Sequence, residues 1–95
     1  MKDNELRTLP KLIELIKAEN EYQIDKWGIQ DNIPPIWALI LNEEVGELNR
    51  AILQQWRCIG DYRKYRQNTR EEAIQVVTLA LKIAEMCEEE GDIEY

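Results

Sequence analysis

An all-α fold of three main helices is what this sequence predicts, and three observations predict it. Apolar residues recur every three to four positions through three long windows, the period of an amphipathic helix. All three prolines and every glycine but Gly46 fall at the edges of those windows, where they punctuate rather than interrupt. Apolar residues make up 44% of the chain and charged residues 33%, enough of the first for a core and of the second for a water-facing side on each helix.

The first helix begins at Pro10, a residue tolerated in an opening helical turn, and carries Leu12, Ile13, Leu15 and Ile16 on toward Tyr22 and Trp27. Gly28 to Pro35 reads as a loop, because glycine, Asp31-Asn32 and a double proline all oppose helix continuation. The second helix starts near Pro35 and runs to about Trp56, with Gly46 its one weak helix former; close approach of another helix or a ligand is the expected use of that glycine. Arg57 to Asn68 reads as a polar connection with a short helical turn near Tyr62. Thr69, followed by Glu71 and Glu72, reads as the N-cap of a third helix that ends at Glu90, before Gly91.

At 95 residues the chain is one domain, 1–95, with a thin core for a lone monomer. A formal net charge of −7 excludes nucleic acid as the expected main partner, since such proteins concentrate cations. No run of apolar residues suits a membrane span or a signal peptide, and Cys58 and Cys87 match no metal spacing and read as free thiols, so a cytoplasmic protein is expected. Histidine is absent, which removes the usual general base and the commonest zinc ligand and leaves chemistry to carboxylates.

Where the acids fall is the informative feature. On a wheel of about 100° per residue, Ile36, Trp37, Ile40, Leu41, Leu48, Ala51 and Ile52 share one arc, and Glu44 and Glu47 fall inside it. On the third helix Glu72 falls within the apolar face of Ala73, Val76, Val77, Leu79, Ala80, Ile83, Ala84 and Cys87, with Gln75 one turn on. Buried carboxylates repel one another and lose hydration, so an uncompensated pair calls for a cation. Glu44, Glu47, Glu72 and Gln75 are therefore the expected metal ligands, a hard-oxygen set suited to Mg2+ or Mn2+. The competing reading is a non-catalytic helical oligomerisation or regulatory module whose acids meet basic residues of another subunit.

The segments Leu41-Asn42-Glu43-Glu44-Val45-Gly46-Glu47-Leu48 and Arg70-Glu71-Glu72-Ala73-Ile74-Gln75-Val76 resemble the paired ExxE and ExxD signature of all-α nucleoside triphosphate pyrophosphatases of the MazG and dimeric dUTPase type. Glu21 to Gly28 with Pro34-Pro35 is similar to the entry segment of small phage and bacterial MazG-like proteins, so the resemblance spans roughly residues 15 to 87. It implies metal-dependent hydrolysis of nucleoside triphosphates to monophosphate and pyrophosphate, with Glu44, Glu47 and Glu72 as Mg2+ ligands. Gln75 departs from the pattern, standing as a neutral amide where the family usually has aspartate. In that chemistry Glu43 or Glu71 is expected to orient or deprotonate the attacking water.

Five of the twelve basic residues, Arg57, Arg63, Lys64, Arg66 and Arg70, lie between 57 and 70, where the one acid is Asp61. They suggest a cationic lip for a triphosphate, with Lys82 and Lys26 also on the substrate side and Trp27 placed to stack a base. The third helix is apolar around more of its circumference than two neighbours cover, which predicts a helical bundle with a second subunit, a homodimer or homotetramer.

Overall fold

The computed structural model describes residues 6–91, and over that span the protein is all-α with no strand. Three helices follow in order: α1 at Leu9–Trp27, α2 at Pro34–Trp56 and α3 at Tyr62–Glu89. Each boundary has a local cause. Pro10 lies in the opening turn of α1, and Gly28, at a φ of 74°, ends that helix with its N–H donating to the Ile24 carbonyl. Ile33 is held extended ahead of Pro34, as a residue before proline prefers, and the two prolines occupy the first two positions of α2.

The third helix corrects the sequence reading. It starts at Tyr62, and Thr69 lies within it rather than at its cap. Asp61 is the capping residue, its side chain accepting from the Lys64 N–H at 3.3 Å. Thr69 is buried, and its hydroxyl lies within hydrogen-bond reach of the Tyr65 carbonyl one turn back and of the Ala51 carbonyl on α2. The basic residues from 63 to 70 therefore ride on a helix, not on a loop.

α3 is the spine. α2 packs along it and α1 packs on it too, while α1 and α2 make no backbone contact with each other, so a cleft opens between them over α3. Among the described residues the buried apolar side chains are Trp37, Ala51 and Leu79, joined by Thr69 and Thr78, whose hydroxyl donates to the Ile74 carbonyl. The core is as thin as the chain length implies. Much apolar surface stays open, including Ile36 and Ile52, which the wheel places on the inner arc, and Trp56, 85% exposed. Among the described residues a Cβ added at Gly46 would meet nothing within 4 Å, so none of them uses the expected close approach. None of the helices is long and apolar enough to cross a membrane.

Candidate metal centre

Glu44 and Glu47 stand one turn apart on α2, and the packing of α2 against α3 brings Glu72 to meet them. One carboxylate oxygen from each lies within 4.8 Å of the other two. Burial raises the pKa of Glu44 above its ordinary value, and the charges of Glu47, Glu72, Glu19 and Glu43 push it the same way. Glu72 is raised first by burial, then by the charge of Glu47, by a hydrogen bond between the two carboxyl groups and by Glu71, with Arg50 opposing. Glu44 and Glu72 thus hold protons more tightly than free carboxylates do, first because burial strips their hydration and then because neighbouring acids repel their charge.

Gln75 completes the arrangement. With its amide nitrogen turned inward it donates to Glu72 Oε2 at 3.2 Å and to Glu44 Oε2 at 3.3 Å. Half a turn of the amide puts its oxygen in that place, making a fourth oxygen donor. Three carboxylates and one amide oxygen, with no nitrogen or sulfur ligand, fit a hard divalent cation.

A cavity of about 400 Å³ adjoins the cluster through Glu44 and Gln75, walled by Trp37 and Ile40 of α2, Leu79 and Lys82 of α3, and a face of α1. Two of the expected substrate residues, Lys26 and Trp27, line it with Lys82. The Lys26 ammonium lies 4.6 Å from the centre of the Trp27 ring and 5.7 Å from that of Tyr22, so it covers a ring face that a base would stack on. Burial lowers the pKa of Lys82, against the pull of the Glu19 carboxylate. Its Nζ donates to Gln23 Oε1 at 2.6 Å, and Gln23 Nε2 donates in turn to Glu19 Oε2 at 2.8 Å.

The cationic lip divides. Arg70 lines a second cavity with Glu19, Tyr22, Glu71 and Gln75, beside the cluster. Arg63 and Arg66 line a groove with Gln67 and Arg70, ahead of Glu72 along α3, and Lys64, about 100° round the helix from Arg63, lines another with Gln54 and Asn68. Neither cavity beside the cluster is lined by Arg63, Lys64 or Arg66. Of the two outer acids, Glu71 lines the cavity with Gln75 and Glu19, whereas Glu43 is exposed and reaches the cluster through its charge on Glu44.

Glu19 and Gln23 are the site residues that sequence reasoning missed. The signal was present: on α1 they continue the inward stripe of Leu12, Leu15 and Ile16, as Glu44 and Glu47 interrupt the arc of α2. Comparison of the chain with protein-family models, with curated proteins and with solved structures gives no match.

Proposed function

We propose that the chain is a metal-dependent nucleoside triphosphate pyrophosphohydrolase that works as a homodimer or homotetramer. The observation that carries this reading is the convergence of Glu44, Glu47 and Glu72 with Gln75 beside a cavity that also holds cations and aromatic rings. Glu44, Glu47, Glu72 and Gln75 would hold Mg2+, or Mn2+ in its place. When bound, the cation supplies positive charge for the phosphate oxygens and acidity for a water.

The chain's own residues supply the rest. Lys82, Lys26 and Arg70 neutralise the triphosphate, and Trp27 offers a ring to the base once Lys26 leaves it for the phosphates. Glu71 holds the attacking water and takes its proton as oxygen adds to the α-phosphorus and pyrophosphate departs. Hydrolysis at that bond releases a nucleoside monophosphate. The unpaired thiols Cys58 and Cys87 suit a reducing compartment, the cytoplasm.

A second reading rests on Gln75. Turned nitrogen inward, its amide satisfies Glu44 and Glu72 without a cation, as a non-catalytic module with a lapsed site would. Pyrophosphate release from a panel of nucleoside triphosphates separates the two, measured with Mg2+, with EDTA and with Glu47→Gln. Release that needs metal and disappears in the variant supports the hydrolase. A folded protein that releases none with any nucleotide supports the module.

A further inference from the structure

α3 carries a self-complementary face that the other described residues leave open. At about 100° per residue, Arg63, Arg66, Arg70, Val77, Leu81 and Glu88 fall within an arc of about 60°. The stripe is cationic at its start, apolar in the middle and acidic at its end. Val77 is 40% and Leu81 48% exposed. Among the described residues none of the three arginines, nor Glu88, makes an ion pair.

This charge order does not serve the helix itself. Beyond the Asp61 cap the opening turn of α3 holds no acid and its last turn no base, so Arg63 sits at the positive end of the helix dipole and Glu88 at the negative end. An arrangement that works against its own helix is explained by a partner. A parallel neighbour of the same kind would set like charge on like. An antiparallel one sets each end against its opposite.

We propose that α3 pairs antiparallel with α3 of a second copy, with Val77 on the two-fold axis. In that register Arg66 faces Glu88 of the second copy, Leu81 packs on its Ala73, and Arg70 lies over its Ala84 with Glu88 one turn away. A large side chain against a small one on either side of the axis lets two helices approach to about 8 Å. The contact is isologous, so every pair occurs twice. It also covers apolar surface that a chain with so thin a core leaves in water. A nucleic-acid strand is a poorer fit, because Glu88 would repel phosphates at one end of the same stripe. The pairing gives a contact for the homo-oligomer proposed above and needs neither metal nor nucleotide, although Arg70 of the stripe also lines the cavity beside the cluster.

Sedimentation equilibrium of the full chain in EDTA tests it, with circular dichroism confirming helix content. The wild type is expected to be a dimer at micromolar concentration that weakens as salt is raised. Arg66→Glu and Glu88→Arg should each weaken the dimer about tenfold, since each turns two attractions into repulsions. The two swaps combined in one chain should restore it. Val77→Arg, at a position exposed in the single copy, should give a folded monomer. A wild type monomeric throughout, a dimer indifferent to the swaps, or a combined variant as weak as either swap overturns the proposal. So does a monomer that binds inorganic tripolyphosphate through Arg63 and Arg66, which would assign the stripe to an anion.

Discussion

Glu47→Gln should have opposite effects with and without metal. In the metal-free protein Glu47 faces Glu44 and Glu72 with carboxylate oxygens within 4.8 Å, a separation at which two unit charges repel by about 1 kcal/mol even at the permittivity of water. Glutamine keeps the size and the hydrogen-bonding reach while removing both repulsions. With a discount for solvent screening at the exposed Glu47, the variant should be more stable than wild type in EDTA by about 1 kcal/mol. For a domain of this size that raises Tm by about 4–8 °C. With divalent cation at a hundredfold excess over its Kd, the wild type should gain about 2.7 kcal/mol, and the variant, short of one ligand, far less. Thermal unfolding followed by circular dichroism in EDTA, Mg2+ and Mn2+ reads all of these differences. A variant less stable than wild type in EDTA would show that the cluster is held by contacts rather than strained by charge. Equal metal stabilisation of both proteins would place the cation elsewhere.

Because Glu44 and Glu72 titrate above the ordinary 4.5 in the folded protein, their contribution to stability is full below that pH and is lost as pH rises through their raised values. Urea unfolding in EDTA should therefore show stability falling from pH 4.5 toward neutrality, and a Glu44→Gln, Glu72→Gln variant should flatten that fall. Gln75→Asp adds a fourth charge, so it should tighten Mg2+ about tenfold in calorimetry while lowering Tm in EDTA. Lys82→Met removes a half-buried cation from the cavity wall and should weaken nucleotide binding on the order of tenfold without changing metal affinity. Gly46→Ala should stabilise the protein by about 1 kcal/mol, read as a rise in Tm, since nothing lies within 4 Å of the added carbon.

The three helices and the three clustered carboxylates were legible because both rest on one pattern, apolar periodicity and its interruption. Glu44 and Glu72 are half-buried polar residues on the packed faces of their helices, and the packing of α2 on α3 gathers them with Glu47. Glu47 is exposed rather than turned into the core as the wheel implied, since the thin bundle leaves that edge of the arc in solvent. Where apolar periodicity was absent, the reading failed. Tyr62 to Asn68 is polar and looked like a connection, yet the Asp61 cap and a run of arginine, lysine and glutamine, all strong helix formers, carry α3 through it. Thr69 followed by two glutamates matches a helix start by residue type, but its hydroxyl finds partners in Tyr65 and Ala51, which no local pattern announces. With the segment helical, Lys64 turns about 100° from Arg63, whereas Arg63, Arg66 and Arg70 keep to one side of α3, and of these only Arg70, the last along the helix, lines a cavity beside the cluster.

Glu19 and Gln23 were missed for a different reason. The face of α1 turned inward starts as Leu12, Leu15 and Ile16 and then becomes Glu19 and Gln23. Read as amphipathicity, that change is a helix losing its apolar side and deserves a boundary. Read as physical chemistry, it says that the same face leaves a dry environment and enters one able to satisfy a carboxylate and an amide. Since α1 makes no backbone contact with α2, the polar half of its inner face lines the cleft between them, and Lys82 on α3 meets Gln23 there. A helix whose inward stripe turns polar without a break in the helix thus points to the site it lines, and in this chain it points to the same cavity as the paired glutamates of α2 and α3.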